Sequence, residues 1–207
     1  MTIKAVISDL GRVILHFDNH IFYRKLAGYA SMSYEEIARL AFDHGELVRL
    51  FDGGRMAPRE FFERVTARVE ARMDEEEFFF IYNDIFSPIP GTLDILRELK
   101  PRARLILLSN TDPMRFGLIK RRFPEILIFD EYVLSYEVGA IKPDPAIYEE
   151  AIRRAGCRPE EAVFIDDLAV NVEAAAELGI KGIVFTAGTT DLAAELRRLG
   201  LSIPRQA

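Results

Sequence analysis

An α/β fold built on a parallel sheet is what this sequence predicts, and three observations predict it. Five short runs, Ala5 to Ser8, Leu105 to Leu108, Tyr132 to Leu134, Ala162 to Ile165 and Gly182 to Phe185, are dominated by apolar residues without polar alternation. Strands covered on both faces read this way. Helical patterns separate the later runs, so strand and helix alternate along the chain. Finally, Asp9, Ser109-Asn110 and Asp166-Asp167 stand at the ends of apolar runs, and Lys142 sits in Gly-Ala-Ile-Lys-Pro-Asp-Pro. Parallel sheets bind their ligands at the carboxyl ends of the strands, where charge is tolerated.

The first strand is not followed promptly by a crossover helix and a second strand. Residues 18–87 read instead as consecutive helices. Ser33 with Glu36 and Asp74 with Glu77 have the spacing of capping boxes. Gly53-Gly54 ends one helix, and Ala57-Pro58 opens the next, which carries Phe61, Phe62, Val65 and Val69. An all-helical block after strand one reads as an inserted subdomain, with Ser87-Pro88-Ile89-Pro90-Gly91 as the return hinge. Beyond it, Leu93, Leu96 and Leu99 mark one helix face. Asp112-Pro113 and Asp144-Pro145 each pair a cap residue with proline at the first helical position. Val172, Ala175, Ala176 and Leu178 form a helix stopped by Gly179, and Leu192 to Leu199 form the last, before Gly200. The division is a core of residues 1–17 and 88–207 with a helical cap of residues 18–87.

A chain of 207 residues can bury one core plus a small insert. No segment approaches the roughly 20 apolar residues that cross a bilayer, and the start shows no secretory signal, so the expectation is a cytoplasmic protein without a membrane partner. A net charge of -6 speaks against nucleic acid. Cys157 is the single cysteine, cannot form an internal disulfide and reads as a small buried residue. Nothing reads as a coiled coil, and the oligomeric state stays open.

Taken singly, the polar residues have ordinary readings. Asp9 could cap a helix, Ser109-Asn110-Thr111 is common loop composition, and Lys142-Pro143 could be a solvated loop. Asp166-Asp167 is harder to dismiss, because two adjacent carboxylates after Val-Phe-Ile repel each other unless a cation lies between them or both reach water. In this order, at sheet ends, the four together form a site pattern.

On these residues the chain resembles the haloacid dehalogenase superfamily. Its signature is an Asp after strand one, a Ser or Thr after strand two, a Lys, and an acidic pair after strand four. Leu107-Leu108-Ser109-Asn110-Thr111, the segment from Gly139 to Tyr148 and the segment from Phe164 to Asn171 are similar to its phosphatase-like branches. Phe51-Asp52-Gly53-Gly54-Arg55 resembles its small helical cap, and Asp9-Leu10-Gly11-Arg12-Val13-Ile14 resembles a subgroup related to sugar-phosphate phosphatases and the epoxide-hydrolase phosphatase domain. The resemblance implies a Rossmann-like core and a Mg²⁺-dependent phosphatase acting on a small phosphorylated metabolite. It implies Asp9 as nucleophile, Lys142 as positive charge for nucleophile and phosphate, and Ser109 with the Asn110 amide on a phosphoryl oxygen. Mg²⁺ would be held by Asp9, the Gly11 carbonyl and Asp167, with Asp166 in support and Asn171 orienting the acid pair.

Gly11 departs from that pattern. Family phosphatases usually carry an Asp there to protonate the leaving oxygen and activate water, and glycine does neither. A positive φ or a crowded backbone would each explain the glycine. Two other readings keep the fold: a 2-haloacid dehalogenase in which Asp9 displaces halide without metal, and a regulatory protein that binds without efficient turnover. His16, His20 and His44 have no ligand spacing, although His16 and Phe17 follow strand one where the family places its flap. Phe78-Phe79-Phe80-Ile81 reads as a buried cap helix, and Phe42 and Tyr23 as aromatic cap residues that influence substrate choice. Lys120-Arg121-Arg122, Arg153-Arg154 and Arg197-Arg198 read as solvated helix faces.

Overall fold

The computed structural model describes residues 2–40 and 45–203. In chain order, β1 (Ala5–Ser8) leads to β2 (Leu15–Phe17) and five helices: α1 (Asn19–Ala27), α2 (Tyr34–Arg39), α3 (Glu46–Asp52), α4 (Pro58–Val69) and α5 (Glu75–Asn83). Then come β3 (Phe86–Pro88), α6 (Thr92–Leu99), β4 (Arg104–Ser109), α7 (Pro113–Arg122), β5 (Glu131–Leu134) and α8 (Ser135–Val138). The chain closes with α9 (Pro145–Ala155), β6 (Ala162–Asp166), α10 (Ala169–Glu177), β7 (Lys181–Val184) and α11 (Leu192–Arg198).

The five expected strands form one parallel sheet in the order β5-β4-β1-β6-β7. Side chains alternate across it, and the inner strands β4, β1 and β6 are covered on both faces, which is why their runs show no polar alternation, whereas Val184 on the edge strand β7 is exposed. Val6, Leu105, Leu107, Val163 and Ile165 pack on one face. Ala5, Ile7, Ile106, Leu108, Ala162 and Phe164 pack on the other. β1 lies between β4 and β6, from which the sheet extends in opposite directions, so the crevice at the carboxyl end of β1 is the place where such sheets bind ligands.

The segment expected as a plain return hinge is partly a strand. β3 pairs antiparallel with β2, Leu15 opposite Pro88 and Phe17 opposite Phe86. This two-stranded ribbon ties both ends of the helical block together beside the sheet. The block has its own core, in which the Phe51 and Phe61 rings stack at 4.3 Å among Phe22, Phe78 and Tyr82.

Local signals held with two exceptions. Ser33 and Glu36 make both bonds of the capping box. Asp74 accepts from the Glu77 N–H, but the Glu77 carboxylate is taken by the Tyr29 hydroxyl, so the reciprocal bond is not made. Phe78 and Phe79 are buried, whereas Phe80 is 69% exposed, because one helix face cannot hold three consecutive rings. Gly54 shows how closely the block docks on the sheet domain. It has φ +68, and a Cβ there would lie 2.2 Å from the Tyr136 carbonyl oxygen.

Candidate active site

Lys142 is the hub of the site. It is buried, and its three N–H groups point to Asp9 Oδ1 at 2.7 Å, Asp166 Oδ2 at 2.7 Å and the Leu108 carbonyl at 3.3 Å. Each partner comes from a different strand end. Asp9 follows β1, with its N–H donating to Ile165 O at 2.9 Å, and Asp166 closes β6. Asp166 is fully enclosed, and its other oxygen accepts from Leu168 N–H at 2.9 Å and from Asn171 Nδ2 at 3.0 Å. Both of its oxygens are therefore engaged within the protein. Asp167 is more open, and its one ion pair among the described residues is with the Arg12 guanidinium, at 3.8 Å.

Asp9, Asp166 and Asp167 each bring a carboxylate oxygen to within 4.8 Å of the others. Burial pushes the Asp9 carboxyl up to about 7; Lys142 pulls it down and Asp166 pushes it up. Asp167 is raised as well, by burial and then by Asp166. Burial opposes the charge on Lys142, but Asp9 and Asp166 overturn that and hold it as an ammonium. Three carboxyl groups stand against one buried ammonium and the exposed Arg12 guanidinium, which leaves an excess of negative charge once Asp9 is ionised, and hard oxygens suit a divalent cation such as Mg²⁺.

Ser109 ends β4 and is buried beside this cluster. The Asn110 side chain is engaged within the protein. Its Oδ1 accepts from the Lys142 N–H at 2.8 Å, and its Nδ2 donates to the Lys142 carbonyl at 3.1 Å. This two-point clamp fixes the backbone that carries the lysine. A cleft of about 540 Å³ opens above the cluster, lined by Asp9, Ser109, Lys142 and Asp167 below and by Phe17, Phe22, Tyr23 and Asp52 from β2 and the helical block.

A model of the haloacid dehalogenase-like hydrolase family matches residues 3–179. The chain belongs to this family. A glyceraldehyde 3-phosphate phosphatase of Methanothermobacter thermautotrophicus is 36% identical over 88 residues, 39% of this hydrolase and 36% of the relative. The match thus spans about a third of that relative's length. A D-ribitol-5-phosphate phosphatase of Bacteroides thetaiotaomicron is 25% identical over 191 residues, covering 86% of this hydrolase and 90% of the relative. The crystal structure of a haloacid dehalogenase family enzyme from Bacteroides thetaiotaomicron, in complex with magnesium and inorganic phosphate, superposes with a TM-score of 0.81 at 26% identity, over 93% of this chain and 98% of that one.

The hydrolase also carries a polar cluster that sequence reading missed, where the helical block meets the sheet domain. Asp112 caps α7, accepting from Met114 N–H, Arg115 N–H and the Tyr82 hydroxyl at 3.0 Å. Arg115 lies over the Tyr82 ring and donates to Asn19 Oδ1 at 3.2 Å. Asp52 faces Asp112 and Arg115, with Oδ1 closed off and without a hydrogen-bond partner among the described residues. Ser135 completes the junction: its hydroxyl donates to the Asp52 carbonyl at 2.6 Å and accepts from Thr111 N–H at 2.9 Å. Asp112 is the better seat for a negative charge, so the proton settles on Asp52, which burial and Asp112 push up to about 7 against the pull of Arg115. Between 3.8 and about 7 the folded state then holds a proton that the unfolded state has lost, and stability falls as pH rises through that window. Asp9, raised to about 7 as well, adds its own share to this slope, so Asp52→Asn should make the dependence shallower without abolishing it and stabilise the protein above pH 7. The gain should be on the order of 2 kcal/mol, less than the roughly 4 that the whole shift represents, since Arg115 and Asp112 readjust. Urea unfolding followed from pH 4 to pH 8 measures it, and parallel curves for variant and wild type would contradict the assignment.

The other described candidates are not among the residues that line the cleft. His16 is exposed on β2, and the His20 ring meets the Tyr34 hydroxyl at 2.9 Å. His44 and Phe42 lie outside the described residues. Cys157 is half-buried and its thiol is raised by burial. Arg122 pairs with Asp84, Arg153 with Glu150 and Arg198 with Glu195, as solvated helix faces do, whereas Arg154 is half-buried and donates to Glu150 and to the Tyr132 carbonyl at 2.7 Å. No described helix is long and apolar enough to cross a membrane.

Proposed function

We propose that this hydrolase is a Mg²⁺-dependent phosphatase of a small phosphorylated metabolite, working through an aspartyl-phosphate on Asp9. The observation that carries the reading is the charge balance of three clustered carboxylates and one buried lysine. A phosphate dianion brought to this cluster is repelled by about 4 kcal/mol per unit-charge pair, at ~4 Å with an effective dielectric of ~20. Asp9, Asp167 and the Gly11 carbonyl would hold the metal, with Asp166 supporting from beneath. Bound there, Mg²⁺ supplies charge neutralisation to the nucleophile and to the phosphoryl oxygens.

The chain's own residues do the rest. Asp9 attacks phosphorus with a carboxylate oxygen, the ester P–O bond breaks, and the leaving oxygen departs with the bonding pair. Water then adds to phosphorus, the bond to Asp9 breaks, and inorganic phosphate and free Asp9 result. Lys142 holds Asp9 in position and offsets its charge, while the Ser109 hydroxyl and the Asn110 backbone N–H hold a phosphoryl oxygen. Gly11 brings neither proton donor nor base to either step. Esters whose leaving oxygen departs as a stable anion (aryl, acyl or anomeric phosphates) are therefore favoured over simple alkyl phosphates. Residues 18–87 act as a cap over the cleft, and cap side chains such as Tyr23 contribute to substrate choice. Metal-free dehalogenation fits less well, because a haloacid carboxylate would face Asp166 and Asp167 uncompensated.

A metal titration tests the reading. Phosphate release from acetyl phosphate and a panel of phosphorylated metabolites should appear with Mg²⁺ and vanish with chelator. Release of halide from a 2-haloacid in the presence of chelator, or phosphate binding without turnover, would replace it with one of the other two readings. In the same assay Asp167→Asn should raise the Mg²⁺ needed for half-maximal rate by at least about tenfold, with part of the activity recovered at high metal. An unchanged Mg²⁺ dependence would transfer the ligand role to Asp166.

A further inference from the structure

A side chain at position 11 would meet a residue six positions further on. A Cβ on Gly11 would lie 2.9 Å from Phe17 Cε1 and 3.4 Å from Cδ1, with Asp9 Oδ2 at 3.9 Å. Gly11 is not among the glycines with positive φ, so its backbone conformation does not require glycine. The residue in the left-handed region is its neighbour Arg12, with φ 54. Arg12 lies over the Phe17 ring at 5.0 Å from the centroid and reaches toward Asp167. The Phe86 ring of β3, 6.2 Å away, holds Phe17 from the other strand of the ribbon. Phe17 is thus flanked by Arg12 and Phe86, beside Asp9, in the wall of the cleft.

We propose that Phe17 is a specificity-determining residue: its ring excludes any side chain at position 11 and supplies the aromatic face against which the organic part of the ester packs. The preferred substrates are then aryl phosphates, in which the P–O bond to the ring breaks and the phenolic oxygen leaves as an anion that needs no proton. This rests on the phosphatase reading above and narrows its substrate class. A planar ring meets Phe17 and Phe86 in the tilted geometry that aromatic pairs favour, which an acyl or alkyl group cannot reproduce.

Three probes separate the two roles of the ring: phenyl phosphate (aromatic, weakly basic leaving oxygen), acetyl phosphate (good leaving group without a ring) and propyl phosphate (neither). Phe17→Leu should lower kcat/KM for phenyl phosphate about 3- to 10-fold relative to acetyl phosphate. Gly11→Asp should gain little in the wild-type background, because the ring occupies its space. In the Phe17→Leu background it should raise propyl phosphate hydrolysis about 10²-fold or more, relative to phenyl phosphate. Gly11→Ala supplies the folding control: it should lower the melting temperature when Phe17 is present and leave it nearly unchanged when Leu replaces it. An unchanged phenyl-to-acetyl ratio in Phe17→Leu, or an equal gain from Gly11→Asp in both backgrounds, would overturn the proposal. If wild type with Mg²⁺ releases phosphate from none of the probes, the phosphatase reading falls and takes the substrate class with it. The melting temperatures still decide whether Phe17 closes position 11.

Discussion

Lys142→Ala is expected to damage both catalysis and stability. The ammonium is the shared partner of Asp9 and Asp166, at 2.7 Å from each, and all three groups are buried. Removing one partner of a buried ion pair costs about 3–5 kcal/mol, because the remaining charge stays desolvated and uncompensated. Here two carboxylates are orphaned at once, and part of the cost is relieved by protonation of Asp9, which is already pushed up by burial and by Asp166. That protonation also removes the nucleophile. With saturating Mg²⁺, the rate of the first turnover should fall at least about 10²–10³-fold, the scale seen when a preorganised electrostatic group is lost. Rapid-quench measurement on the folded fraction gives this rate, and denaturant unfolding gives the stability. A wild-type first turnover would make Lys142 a structural residue only.

Asp9→Asn has the larger catalytic effect and the smaller structural one. The amide keeps the volume and one acceptor for Lys142, so the fold should survive, but an amide oxygen is a very poor nucleophile toward phosphorus. Turnover should fall by more than about a thousandfold. Circular dichroism and phosphate release on the same sample are the measurement. A folded variant that releases phosphate at near the wild-type rate would remove Asp9 from the mechanism.

The sequence was informative about the sheet and the strand-end chemistry, and uninformative about groups that meet across space. Buried parallel strands announce themselves as uninterrupted apolar runs, and Asp9, Ser109 and Asp166 were legible because charge or hydroxyl ends such a run. Only the family resemblance told Asp167, expected to face the metal, from Asp166, expected in support. Adjacent residues look alike in sequence, but Leu168, Asn171 and Lys142 engage both oxygens of Asp166 and leave Asp167 facing the cleft. Asn110 reads as a loop residue, and only the fold reveals its clamp on a backbone 32 positions away. The β2–β3 ribbon was hidden because three-residue strands carry too little pattern to register. Phe17 and Gly11 were both noticed, yet nothing in the chain says that one ring fills the other's space. The Asp52, Asp112 and Arg115 junction joins two parts of the fold that sequence treats separately.

Formation of a phosphoryl-enzyme tests the central claim most directly. Gly11 can neither protonate the leaving group nor activate the water that hydrolyses the intermediate, so with an aryl phosphate the second step should be the slower one. Mixing the hydrolase with Mg²⁺ and excess 4-nitrophenyl phosphate should give a burst of nitrophenolate followed by a slower steady rate. Protein quenched during the burst should carry a phosphoryl group on Asp9 that hydroxylamine removes. Linear release without a burst, together with quenched protein that bears no phosphate on Asp9 although turnover proceeds, would contradict the account.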